Sequence, residues 1–151
     1  MEVSRFIAAP PQALYDAVTD PQALVQWLPP SGMRGVIEGF EGRVGGGYRM
    51  TLTYEAPSPQ ARGKTTAKSD TVAVRFVELV PGQRIVQAAD FVSDQAAFGG
   101  TMTMTWSFAP VAGGTEVTVS VENAPPGISE ADHAAGIRSS LENLARFVGA
   151  P

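Results

Sequence analysis

A chain of 151 residues fits one domain, in which roughly 68–70% of the unfolded surface can be buried. The formal net charge of −4 argues against a nucleic-acid partner, because phosphate contacts need clustered Lys and Arg. The absence of cysteine excludes disulfides and thiolate chemistry and favours a reducing, cytoplasmic setting. The N-terminus is too polar for a signal peptide, and no apolar run approaches the ~20 residues that span a bilayer, so no membrane insertion is expected.

The start of the chain predicts one strand and two short helices. Weak alternation over Glu2–Ala8 is typical of a strand. Pro10 and Pro11 then open a helix, since the missing N–H of proline is tolerated in the first helical turn. Asp20 predicts the N-cap of a second short helix, which carries Trp27 on its apolar side.

The middle of the chain changes to period two, which predicts antiparallel strands joined by glycine and proline turns. The predicted strands are Val36–Phe40, Tyr48–Tyr54, Asp70–Val80, Arg84–Phe91, Thr101–Phe108 and Val117–Val121. A polar segment at 55–69 is predicted to be a mobile loop, and 93–100 a second loop.

The strand Thr101–Phe108 has two unlike faces. Met102, Met104, Trp106 and Phe108 alternate with small hydroxyl residues, so the large apolar side chains share one face. Such a face fits a packed core, and it fits the wall of a pocket for an apolar ligand equally well.

The end of the chain predicts a long amphipathic helix at about 130–148, with Ser129 as its N-cap. Its apolar stripe consists of Ala134, Ile137, Leu141, Leu144 and Val148. His133 lies off this stripe, so it is expected at the surface. A curved antiparallel sheet covered by one long helix is a two-layer α+β arrangement.

These elements, in this order, resemble the helix-grip domains of the START/SRPBCC superfamily, and most closely the branch named for activators of the Hsp90 ATPase. The ordered set carries the resemblance, and no single motif is specific. The matching segments are Ala8–Tyr15, Thr19–Pro21 with Trp27, Gly46–Met50, Phe76–Pro81 with Arg84–Val86, Met102–Trp106, Gly113–Val119 and Gly136–Leu144.

The resemblance implies one domain over 1–151, with about seven antiparallel strands wrapped around the C-terminal helix and a cavity between them. Members of the superfamily bind lipids, hormones, polyketides and other apolar molecules, and a minority are cyclases or related enzymes. The chaperone-activator name comes from eukaryotic relatives that also use a separate N-terminal domain, which this sequence is expected to lack. The name therefore implies fold more than activity.

The expected function is binding of a small hydrophobic or amphipathic ligand, and the residues expected to line its cavity are mostly apolar. They are Trp27, Tyr48, Met50, Leu52, Val74, Phe76, Gln87, Met102, Met104, Trp106, Ile137 and Leu141. The alternative for each is a plain core position. A cyclase, dehydratase or hydrolase using the same cavity, and a chaperone-cofactor interaction, remain as alternative functions.

Four polar residues in or beside the strands are candidates to anchor a ligand or to act as acid or base: Asp70, Arg75, Gln87 and Asp90. The alternative is solvated charge, because charged residues are rarely buried unpaired. Arg75 is out of phase with its apolar neighbours, which favours the outer face. Gln87 is in phase with Ile85 and Phe91, which favours the interior.

No metal or cofactor is expected. His133 is the single histidine, and without cysteine it could hold a transition metal only with several carboxylates. The glycines at 39, 42 and 45–47 precede a strand rather than a helix, so we interpret them as turn residues and not as a phosphate loop. No catalytic residue is assigned. The sequence leaves self-association through a strand edge open.

Overall fold

The computed structural model of the chain describes residues 1–55 and 69–149. These residues form seven strands and three α-helices. In chain order they are β1 Glu2–Ile7, α1 Pro11–Val18, α2 Pro21–Trp27, β2 Met33–Glu38, β3 Gly47–Tyr54, β4 Ser69–Val80, β5 Arg84–Phe91, β6 Met102–Val111, β7 Gly114–Glu122 and α3 Glu130–Phe147. Most of the loop predicted at 55–69 lies outside the described residues.

The strands form one antiparallel sheet in the order β1-β7-β6-β5-β4-β3-β2, so β1 and β2 are its edges. The sheet curls around α3, which packs against β1 at one side and α2 at the other. This arrangement confirms the predicted α+β helix-grip fold, with two short helices directly after the first strand.

Two side chains begin helices as the sequence predicts. The Asp20 carboxylate accepts a hydrogen bond from the backbone N–H of Gln22 at 2.9 Å. The Ser129 hydroxyl accepts one from the N–H of Asp132 at 3.0 Å. Each satisfies a backbone donor that has no partner inside its helix. Both N-cap predictions are confirmed.

The second strand differs from its prediction of Val36–Phe40, because it ends two residues earlier, at Glu38. Gly39 has φ of +65°, a conformation that turns the chain out of the strand. Phe40 then folds inward, and its ring stacks on Tyr48 at 5.5 Å between centroids. The predicted loop at 93–100 also contains a short 3-10 helix at Ala96–Phe98.

The core fills the side of the sheet where β1, β6 and β7 meet the helices. Trp27 is fully buried, and its indole N–H donates to the Ala17 carbonyl at 2.9 Å. Its ring meets that of Trp106 edge to face, with centroids 5.6 Å apart. None of the helices formed by residues 1–55 and 69–149 combines the length and apolarity needed to cross a membrane.

Candidate ligand-binding cavity

A cavity of about 740 Å³ is lined by one face of α3 and by the concave face of β3, β4, β5 and β6. Its size falls within the range of roughly 300–1,000 Å³ typical of small-molecule sites. Strand register explains why its wall is continuous. Tyr48 pairs with Val74, Val74 with Ala89, and Ala89 with Met102, so a row of inward-facing side chains crosses all four strands.

Most of the residues predicted to line a cavity do line this one. They are Tyr48, Met50, Leu52, Val74, Gln87, Met102, Met104, Trp106 and Ile137. Alternation on the strands placed them correctly on the inner face, since every second side chain points to the same side.

Three of the predicted lining residues lie elsewhere: Trp27, Phe76 and Leu141 are fully buried core residues and are not part of the cavity wall. The Phe76 ring is covered by Phe40 and Tyr48, whose centroids lie 5.9 Å from its own. Trp27 is turned toward the Ala17 carbonyl. Their place on the cavity wall was predicted wrongly, because alternation indicates which side of the sheet a side chain faces but not whether other side chains separate it from the cavity.

The inner end of the cavity consists of Tyr48, Gln87 and Trp106. Gln87 is only 4% exposed although it is a primary amide. In register it lies between Phe76 and Met104, so its strand neighbours on this face offer no polar group. Burial raises the pKa of Tyr48 to about 12, while the hydrogen-bonding Gln87 side chain opposes part of that increase. The predicted interior position of Gln87 is confirmed.

The outer end of the cavity is also polar and consists of Tyr54, Asp70, Asp132 and His133. Asp70 is 4% exposed, so it faces inward rather than solvent. Burial, and secondarily the charge of Asp70, raise the pKa of Tyr54. Phe76 follows Asp70 by six positions along β4, which at roughly 3.3 Å per residue puts the two ends ~20 Å apart.

His133 was predicted at the surface, and that prediction is wrong. It is half-buried and lines the cavity with Gly136, Ile137 and Ser140. These four positions follow the helical spacing i, i+3, i+4 and i+7, so they share one face of α3. This face shares Ile137, which was predicted to line the cavity, with the apolar stripe. Its other members were missed because two of them are small and His133 is polar.

The two other polar candidates face outward. Arg75 is exposed on β4, as its phase predicts. Asp90 is exposed on β5 and accepts a hydrogen bond from the Thr101 hydroxyl. Phe98, which comes from a predicted loop without periodicity, lines the cavity and was not foreseen. Tyr54 could have been found from its phase with Tyr48 on β3.

Within the part of the chain that the structure describes, no three His, Asp or Glu side chains are grouped so as to hold a metal ion. No described Lys or Arg lines the cavity either. Chemically, the site offers an apolar middle between two polar ends, with Asp70, Asp132 and His133 as the groups at its outer end able to exchange protons.

The sequence profile of the family described as activator of Hsp90 ATPase homolog 1-like protein matches residues 8–149. The chain belongs to this family. Among curated proteins, none matches the chain.

Solved structures of other bacterial proteins share this fold. Protein CV1439 from Chromobacterium violaceum is 32% identical, with a TM-score of 0.87, and the match covers 100% of this chain and 97% of that one. A protein from Rhodobacter sphaeroides is 24% identical, with a TM-score of 0.79 over 98% of this chain and 90% of its own. DynU16, a protein of the dynemicin biosynthetic locus, is 22% identical, with a TM-score of 0.68; the match covers 100% of this chain and 48% of DynU16. At these lower identities the likeness concerns the fold.

Three side chains of α3 form hydrogen bonds that fix the connection between α2 and β2 to this helix. Ser140 donates to the Leu28 carbonyl at 2.6 Å, and Asn143 donates to the Pro29 carbonyl at 3.0 Å. The Ser139 hydroxyl accepts from the backbone N–H of Ser31 at 3.0 Å. Leu28 and Ser31 line the cavity, so these bonds hold one of its sides in place.

The raised pKa of Tyr48 predicts that the folded protein loses stability at alkaline pH. Its pKa is about 12 in the folded protein against 10.0 for an unperturbed tyrosine, so the folded chain keeps the phenol proton longer than the unfolded chain does. The stabilisation that comes from the Tyr48 phenol proton is therefore complete below pH 10 and is lost as the pH rises toward 12, about 3 kcal/mol in total. Urea unfolding of wild type and Tyr48→Phe at pH 9 and pH 11.5 measures it.

The free energy of unfolding is expected to fall less between these two pH values in Tyr48→Phe than in wild type. Tyr15, whose pKa is raised by burial and by Asp16, is present in both proteins and serves as the common background. An equal fall in both proteins would show that Tyr48 is not the group that titrates.

Proposed function

We propose that this chain binds a small apolar or amphipathic molecule in the cavity between the sheet and α3. The observation that carries the proposal is the cavity itself. Protein interiors pack densely and contain few voids larger than one water molecule. A space of about 740 Å³ corresponds to about 25 water molecules at ~30 Å³ each.

The lining supports an apolar ligand rather than a water-filled interior. Met50, Met102 and Met104 come from different strands or rows and contribute flexible, polarizable side chains. The valines at 72 and 74 separate the two polar ends. An apolar wall with a few polar groups at defined places is the usual composition of a small-molecule site.

Titration with N-phenyl-1-naphthylamine, a neutral dye that fluoresces in apolar surroundings, tests this function. We expect a saturable rise in fluorescence with a stoichiometry of one dye per chain. Dialysed protein that has been denatured, extracted with solvent and refolded is the control for a co-purified ligand. A linear, non-saturating signal from the extracted protein would contradict the proposal.

A second candidate, an enzyme using the same cavity, is favoured by one observation. Asp70, which is buried, and His133 both line the outer end, where an acid and a base could act on a bound molecule. Hydrolysis of p-nitrophenyl butyrate by wild type, with loss of turnover but not of dye binding in Asp70→Asn, would support it. Equal rates in both proteins would remove Asp70 from any such role.

A further inference from the structure

The side chain of Gln87 is buried without enough partners to use its hydrogen-bonding capacity. A primary amide has two N–H donors and an acceptor oxygen with two lone pairs. Within residues 1–55 and 69–149, its one side-chain partner is the Tyr48 hydroxyl. Buried polar groups nearly always find partners, because leaving one unpaired is costly. Since Gln87 lies on the cavity wall, its remaining capacity is directed to an occupant of the cavity.

The inner end offers more donors than acceptors. The contact between Gln87 and the Tyr48 hydroxyl uses one of the three hydrogens that the pair carries on its amide and phenol groups. Whichever side chain donates in it, two hydrogens remain for an acceptor in the cavity, at least one of them on the Gln87 amide. The indole of Trp106 is a donor only, and its nitrogen has no acceptor among the described residues.

Trp106 Nε1 is covered in the folded chain, whereas its ring borders the cavity. A ligand reaches this nitrogen only after a neighbouring side chain moves, so Tyr48 and Gln87 are the primary donors, and Trp106 is an additional one.

The inner end of the cavity offers no charged partner to an anionic ligand among the described residues, because it consists of Tyr48, Gln87 and Trp106. The titratable side chains of the described wall, which are the carboxylates Asp70 and Asp132 and the imidazole of His133, lie at the outer end. A buried carboxylate without a cation nearby is strongly disfavoured, since it loses its hydration without gaining an ion pair. A neutral oxygen accepts hydrogen bonds from the same donors without this penalty.

We propose that the inner end binds a carbonyl oxygen, so that the ligand is an uncharged apolar molecule with a ketone, ester or similar group at its inner end rather than a fatty acid. Tyr48 and Gln87 donate to this oxygen, while the valine and methionine rows contact the carbon skeleton. This inference rests on the proposed function, because it specifies the chemical class of molecule that the same cavity accepts.

The test compares fluorene with 9-fluorenone, which share a carbon skeleton and differ by one carbonyl group in place of a methylene. Displacement of N-phenyl-1-naphthylamine gives both dissociation constants. Wild type is expected to bind fluorenone at least as tightly as fluorene. In Gln87→Leu, fluorenone is expected to bind roughly fivefold more weakly, the equivalent of one hydrogen bond, with fluorene unchanged.

Met104→Leu is the matched control, because it changes a neighbouring cavity residue of similar volume without removing a donor. It should alter the affinities for the two compounds by the same factor. The infrared carbonyl stretch of bound fluorenone gives an independent measurement. We expect a lower frequency than in cyclohexane for wild type and Met104→Leu, and a return toward the cyclohexane value in Gln87→Leu.

Fluorene-9-carboxylate tests the choice of a neutral ligand and should bind at least tenfold more weakly than fluorene at pH 7. Binding of both neutral compounds, with a cyclohexane-like carbonyl frequency and equal changes in every variant, would overturn the carbonyl site and leave the proposed function standing. Tight binding of the carboxylate would overturn the neutral-ligand class. Binding of none of the three would overturn both the inference and the proposed function.

Discussion

Replacing Gly136 with leucine is expected to weaken dye binding severalfold while the chain stays folded. Gly136 lies within α3 and lines the cavity, and a Cβ placed on it would meet no atom within 4 Å. A leucine side chain can therefore extend into the open space without displacing a neighbour. It also improves the helix, because glycine is less favourable than leucine in a helix interior by somewhat under ~1 kcal/mol.

Gly136→Ala is the matched control for Gly136→Leu. A single methyl group leaves most of the cavity open, so the dye should still bind with nearly its wild-type dissociation constant. Both variants are expected to unfold at higher urea concentration than wild type. Thermal unfolding and dye titration of the three proteins measure the two effects separately. Undiminished binding by a well-folded Gly136→Leu protein would place the dye somewhere other than this cavity.

The second large effect is expected at Leu141, which is fully buried in the core and does not border the cavity. Leu141→Ala removes buried methyl groups and leaves a new void, so it should reduce the free energy of unfolding by about 3 kcal/mol. Dye affinity should change little, because the cavity wall is untouched. Urea unfolding and dye titration again provide the two measurements.

Ile137→Ala is the comparison on the same helix, because Ile137 does border the cavity. Its removal enlarges an existing space rather than creating an enclosed one, so we expect a smaller loss of stability, ~2 kcal/mol. Ile137→Ala should change the dissociation constant of the dye more than Leu141→Ala does. If Leu141→Ala weakened dye binding more than Ile137→Ala, the assignment of these residues to core and cavity would be reversed.

Alternation on the strands was sufficient to predict most of the sheet and of its inner face. Gln87 is the clearest case, since phase with Ile85 and Phe91 placed a polar side chain inside against its ordinary preference. Extending the same phase from Val72 back to Asp70 places this carboxylate inside as well. The pattern thus identifies a face even where residue type argues against burial.

The distance between an inward-facing side chain and the cavity could not be predicted. The two-residue period of a strand and the 3.6-residue period of a helix specify only the direction in which a side chain points. Trp27, Phe76 and Leu141 point inward as expected, but other side chains separate them from the cavity. Position along α3 was a second difficulty. His133 lies beside the apolar stripe, and only the way the sheet curls around the helix decides whether that flank meets solvent or the cavity.

The pairing of β1 with β7 has a consequence for how the chain folds. Glu2 is opposite Ser120 in the register, and Ser140 is bonded to the Leu28 carbonyl, so residues more than 100 positions apart must meet before the sheet and the cavity side formed by Leu28 and Ser140 are complete. Contacts between such distant residues form slowly, because loop closure comes before any stabilising contact. The site is therefore expected to be completed late in folding, and a bound molecule should slow unfolding without speeding the refolding reaction.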